Sequence, residues 1–383
     1  MYKYPILFIF TLIIASFSLN AQQPLKVAVF APIYTDSAFD GIDYKLGINN
    51  LPSNMMAGLD FYNGVMMAID SLDDEGKNME VLFYDSRGKE SISSIIRKPE
   101  FNDVNLIIAA FNNRQDIKPL ADFAFSKKVP LVSSTYPNDG GVTENPYFVL
   151  INTSLKTHLT NIYSYLQRNR PTSNIIYIKK KGQLEDLIQS YFIEAAKTTA
   201  AVPLTYRTLE ISDTSTAKSL LPYLDSTAQN TIVCGSINEM FGLKLVKMVA
   251  CAKSYDCTVM GMPTWDGVKE LDGYDCRGVN IVFSTPYNFP RTQTLVASLT
   301  KKYRANLMAK PSEMYFKGYE SMLHFGSLLL ENPTTVVNHI ADKSFKVFTD
   351  FDIQPVRGKY GQPVEYLENK KLYFIKKLDG HYQ

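Results

Sequence analysis

Apolar residues fall along the chain in two kinds of block, short continuous runs and longer stretches with a buried stripe, and the alternation reads as strand, helix, strand, helix. The first strand covers residues 25–31. A long loop follows, then a helix with Val65, Ala68, Ile69 and Leu72 on one face. Strands at 80–84, 104–110 and 130–133 come next, separated by helices at 91–97 and 116–126. This order builds a parallel sheet covered by helices on both faces.

The pattern then restarts. Strands at 175–178, 204–209, 231–234, 258–261 and 279–284 alternate with helices at 184–198, 215–223 and 239–252. Beyond Pro286 the chain returns to helices at 292–306 and 312–330, and it ends in a β-rich tail with a strand at 371–375. The fold class expected is therefore α/β, with two doubly wound parallel-sheet lobes joined by a multi-strand hinge. The loop from Pro32 to Met55 is long for a compact domain. Its Tyr34, Phe39, Tyr44 and Leu51 make it a folded flap rather than a linker.

The N-terminus changes the picture of where the protein works. One cation, Lys3, precedes an apolar run over residues 5–19, too short to span a membrane stably. Residues 1–21 read as a secretory signal peptide cleaved after Ala21, which leaves about 362 residues. An uncleaved leader would tether the same domain to a membrane. A lipid anchor is excluded because no Cys precedes Cys234.

Forty basic and 38 acidic side chains nearly cancel, which argues against nucleic acid or an anionic membrane as the main partner. All four cysteines, Cys234, Cys251, Cys257 and Cys276, lie in the second half. Export permits disulfides. Cys257 opens one strand and Cys276 sits just before its neighbour, so the favoured pair is Cys257 with Cys276. Their spacing matches no common zinc site. Cys234 ends an apolar strand and reads as a small buried hydrophobe.

Several segments in this order are similar to the leucine/isoleucine/valine-binding proteins of the type I periplasmic-binding family, which also includes receptor ligand-binding domains. They are Lys26-Val27-Ala28-Val29-Phe30-Ala31-Pro32, Phe61-Tyr62-Asn63-Gly64, Leu82-Phe83-Tyr84-Asp85, Ile107-Ile108-Ala109-Ala110, Val129-Pro130-Leu131-Val132-Ser133 and Lys317-Gly318-Tyr319-Glu320. The resemblance spans the chain after the leader. It implies one lobe from residues 22–148 plus 284–346, and a second from 149–283 plus 347–383. It also implies a ligand held between the lobes by loops at the carboxyl ends of the strands.

On that expectation the site residues lie just after each strand. Asn113 and Arg114 open the helix at 116–126, where Arg114 either grips a ligand carboxylate or stands solvated. Ser134, Thr135 and Tyr136 correspond to the family's second ligand-contacting turn, with capping of the turn by Ser133 and Ser134 as the plainer reading. From the second lobe come Gln183, Ser236, Asn238, Trp265 and Asp266. Trp265, the single Trp, either stacks on a ligand beside Asp266 or packs within the lobe. The family's nearby glutamate is missing at the matching step.

His158, His324, His339 and His381 are scattered, and no nucleotide-binding or nucleophile motif occurs. No enzyme, metal or cofactor is expected, and His158 reads as a cap or a solvent-facing residue. Two functions remain. The first is capture of a small-molecule ligand by a monomer for a membrane transporter. The second is a sensory or envelope protein-interaction module with a degenerate cleft.

Overall fold

The computed structural model describes residues 24–47, 51–73, 79–290, 293–358 and 363–382. The leader and the cleavage site after Ala21 lie outside the described residues. In chain order the first half runs β1 (Leu25–Ala31), α1 (Thr35–Ala38), β2 (Phe39–Asp40), β3 (Asp43–Tyr44), α2 (Ser53–Asp73), β4 (Met79–Asp85), α3 (Ile92–Ile95), β5 (Val104–Ala109), α4 (Ile117–Lys127), β6 (Leu131–Ser133) and β7 (Phe148–Leu150). The second unit contains α5 (Leu155–Asn169), β8 (Asn174–Lys179), α6 (Gln183–Thr198), β9 (Tyr206–Glu210), β10 (Asn230–Cys234), α7 (Glu239–Ala250), β11 (Cys257–Met260) and β12 (Asn280–Thr285). The chain then returns through α8 (Thr294–Leu307), α9 (Glu313–Glu331) and α10 (Val336–His339), and closes with β13 (Ile353–Arg357), β14 (Val364–Asn369), β15 (Tyr373–Leu378) and β16 (His381–Tyr382).

Two seven-stranded sheets organise the molecule, in the orders β13-β14-β7-β6-β5-β1-β4 and β16-β15-β12-β11-β10-β8-β9. The central strands pair in parallel, and the late strands β13, β15 and β16 add antiparallel edges. Lobe 1 has a core on each face of its sheet. Val27, Val29, Leu106 and Ile108 face α2 and α9, whereas Ala28, Phe30 and Ile107 face α3 and α4. In lobe 2 Ile176, Ile232, Val259 and Val282 anchor a core of comparable extent.

The C-terminal tail is divided between the lobes. We expected all of 347–383 in lobe 2, but β14 adds in parallel to β7, aligning Leu367 with Val149, so β13 and β14 extend the first sheet. Only β15 and β16 join the second sheet, through β12. The physical reason is that β7 and β12 each leave an open sheet edge, and the tail pairs both in succession. The crossings likewise fall slightly later than expected, after Leu150 and after Thr285.

The expected helix over 215–223 is replaced by two 3-10 turns, Ala217–Ser219 and Leu221–Tyr223, because Pro222 has no N–H to continue an α-helix. In the loop after β1, the Asp85 carboxylate accepts from the backbone N–H groups of Ile33 and Thr35 at 2.9 and 2.7 Å. This anchor, α1 and the β2–β3 ribbon fold the described part of the flap onto lobe 1.

No disulfide forms between Cys257 and Cys276; all four cysteines are free. Cys257 is the first residue of β11, while Cys276 curls into a 3-10 turn before β12, with its Sγ directed at the Glu270 carbonyl 3.7 Å away. The turn takes Cys276 out of register with the strand start. Burial raises the Cys234 thiol to about 12, in keeping with a packed, inert side chain.

Candidate interlobe binding site

A cavity of about 1120 Å³ lies between the lobes. Lobe 1 contributes the loop after β6, with Thr135 and Tyr136, together with Glu313 and Lys317 from the start of α9. Lobe 2 contributes Leu184, Leu187 and Tyr191 from α6, Ile237 after β10, and Thr264 and Asp266 after β11. The crossing segments supply Asn152, Thr285, Glu368 and Lys370. Loops at the carboxyl ends of parallel strands therefore meet across one cleft, as open α/β sheets favour.

The turn after β6 is only half available. Ser134 is fully buried, accepts from Ser321 Oγ at 3.0 Å, and receives the Tyr287 hydroxyl on its carbonyl. Its hydroxyl is committed to the core, so the expected ligand contact from Ser134 does not form. Thr135 and Tyr136 do line the cavity, although the Thr135 hydroxyl donates to the Phe111 carbonyl at 2.7 Å.

Arg114 and Asn113 lie outside the cavity walls. Asn113 instead caps the next turn, accepting from the Gln115 N–H at 2.9 Å, and Arg114 is exposed. Two residues on, Asp116 pairs with Arg87, which fixes this corner without a ligand.

Lobe 2 corrects four further expectations. Trp265 is 1% exposed and packs inside the lobe, where a Cβ on Gly242 would come within 2.6 Å of its ring. It cannot stack on a solute in the cleft. Ser236 is buried and donates to Glu185 Oε1 at 2.7 Å. Gln183 is exposed at the start of α6, but the cavity wall begins one residue later, at Leu184. Asn238 caps α7, accepting from Phe241 N–H at 2.8 Å.

Of the second-lobe candidates Asp266 alone reaches the cavity. Burial, reinforced by Glu313 across the cleft, raises its carboxyl to about 7. Glu313 moves the other way, drawn down by Lys317, which stands 3.4 Å from it. Lys317 also lies 4.7 Å above the Tyr287 ring. Two acids and one cation from opposite lobes thus form the polar end of the cleft, with the proton held on Asp266.

The hinge side is a closed polar network. Glu368 accepts from the Ser154 N–H at 2.8 Å and pairs with Lys370, which donates to Thr157 Oγ1 at 3.0 Å. Below it His158 is buried, not solvent-facing, with Nδ1 2.8 Å from Ser284 Oγ. Burial lowers its pKa to about 3, so it stays neutral. Among the described residues no three His, Cys, Asp or Glu side chains converge as metal ligands would.

The sequence reading missed α9 and α6 as walls. Leu184, Leu187 and Tyr191 form a second apolar stripe beside the core-facing Ile188, Phe192 and Ala195. A helix needs one such stripe to pack, so the surplus was a readable signal. Leu184 and Leu187 remain 43% and 45% exposed, facing the cleft.

No protein-family model and no curated protein matches the sequence. Solved structures do match. A putative branched-chain amino acid ABC transporter protein from Rhodospirillum rubrum aligns over 94% of this chain and 99% of its own, with TM-score 0.68 and 12% identity. A branched-chain amino acid ABC transporter periplasmic ligand-binding protein from Burkholderia xenovorans covers 94% of both chains, with TM-score 0.63 and 14% identity. The leucine-binding protein LivK from Thermotoga maritima aligns over 94% of this chain and 97% of its own, with TM-score 0.53 and 12% identity. Two sheets in matching order, a cleft between them and near-complete overlap with these structures give the chain the type I periplasmic-binding-protein fold.

Proposed function

We propose that this chain is an exported, periplasmic solute-binding protein. It works as a monomer, capturing a small polar solute, an amino acid or related compound, between its lobes for an ABC-type transporter. The observation that carries this reading is the cavity of about 1120 Å³ walled by strand-end loops of both lobes. Its polar end, Asp266, Glu313 and Lys317, offers both signs of charge, and its α6 wall offers apolar surface. The likeness to binding proteins of branched-chain amino acid transporters supports it. His158 and His324, buried and engaged with Ser284 and the Phe345 carbonyl, support binding without catalysis.

A solute closes such a cleft by binding the closed form better than the open one. Bound to the native state and not to the unfolded chain, it stabilises the protein by an amount that grows with the logarithm of the ligand excess over Kd. A thermal-shift screen of the chain from residue 22 onward, against amino acids, peptides, sugars and nucleosides, is the test. A rise of several degrees with one class supports the reading. No shift across the panel favours the envelope-interaction alternative, which the withdrawal of Ser134, Ser236 and Trp265 into the cores also favours.

A further inference from the structure

A second cavity, of about 590 Å³, opens in lobe 1 at the corner of α8 and α9, beside the interlobe cleft. Its size is within the range of small-molecule sites. Its walls divide by chemistry. Phe289, Val296 and Phe316 form an apolar floor, with the Phe289 and Phe316 rings 5.6 Å apart and both against Phe348. Lys301 and Arg304, one α-helical turn apart on α8, and Lys310 from the following loop stand above it.

None of these three cations has an acidic partner among the described residues. The acid on the rim, Glu313, is engaged by Lys317 at 3.4 Å. In a chain whose charges nearly cancel, three unpaired cations converging on one cavity are a local excess. Cations that merely solvate a surface need no aromatic floor between them.

We propose that this corner is a second binding site, for a small anion with an apolar body, such as an aromatic or aliphatic carboxylate or sulfonate. The anionic head meets Arg304, flanked by Lys301 and Lys310, in charge-assisted hydrogen bonds. The apolar body lies on Phe289 and Phe316. Glu313 lines both this cavity and the interlobe cleft, so the site adjoins the polar end of the cleft.

The test uses the anionic fluorophore 8-anilino-1-naphthalenesulfonate with the chain from residue 22 onward. Saturable binding at one site is expected, weakened at least tenfold in Lys301→Ala/Arg304→Ala/Lys310→Ala. All three side chains are exposed, so the variant is expected to keep the wild-type melting temperature. Leu184→Ala/Leu187→Ala, in the interlobe cleft, should leave the fluorophore's affinity unchanged. The uncharged analogue N-phenyl-1-naphthylamine should bind at least tenfold more weakly than the sulfonate. The proposal is overturned if the triple variant keeps wild-type affinity, if the cleft variant alone loses it, or if the uncharged analogue binds equally well. None of these outcomes depends on whether the cleft captures a solute.

Discussion

Trp265→Ala separates a structural tryptophan from a ligand-stacking one. The ring is 1% exposed and fills lobe 2 between Gly242 and Gly261, so close that a Cβ on either glycine would overlap it. A buried aromatic removes roughly 150 to 250 Å² from water. At about 25 cal/mol per Å² that is roughly 4 to 6 kcal/mol of transfer free energy, and large-to-small substitutions of Trp in cores cost about 3 to 5 kcal/mol. With about 2 to 4 °C lost per kcal/mol in a unit of 150 to 250 residues, the melting temperature should fall on the order of 10 °C. Circular dichroism is the assay, because the substitution removes the only Trp and its fluorescence. Wild-type emission should be blue-shifted, and a solute in the cleft should not quench it by contact. A fall under about 2 °C, coupled with lost solute binding, would refute the placement of the ring in the core.

The carboxyl pair across the cleft should respond to pH. Asp266 is held protonated below about 7 by burial and by Glu313, so contact between the lobes is strongest at low pH and weakens as pH rises through 7. Small-angle scattering should show the radius of gyration growing from pH 6 to 8 in wild type and staying constant in Asp266→Asn. His158 acts with the opposite sign: its pKa is lowered to about 3, so its contribution is complete above the ordinary 6.5 and is lost as pH falls from there toward 3. Urea midpoints of His158→Gln should therefore decline less than wild type between pH 6.5 and 4.5. Denatured, unreduced protein should react with four equivalents of a thiol reagent, and native protein rapidly with one, at the exposed Cys251; two equivalents after denaturation would indicate a disulfide. Gly318→Ala places a methyl against the Phe61 carbonyl on α2, a conflict that should cost about 1 to 3 kcal/mol and shift Glu313 and Lys317 on the same helix. Both a lower melting temperature and weaker solute binding are expected.

Strand and helix order was legible because it rests on local periodicity. The apolar blocks at β1, β5 and β10 and the stripe Val65, Ala68, Leu72 on α2 carry it without reference to distant residues. The two-lobed architecture followed from the restart of that pattern, and Thr135, Tyr136 and Asp266 were reachable because strand ends point at the cleft. Tertiary structure decided the rest. Which open sheet edge each piece of the tail would pair depended on contacts some 200 residues apart, such as Leu367 with Val149. Whether a polar or aromatic side chain at a strand end turns to the cleft or to the core depended on its partner. Ser321 and Tyr287 claimed Ser134, Glu185 claimed Ser236, and two glycines opened the space that Trp265 fills. A sequence specifies the residue types available at a site through local pattern, but burial and hydrogen bonding are settled between segments far apart in the chain, and only folding brings those segments together.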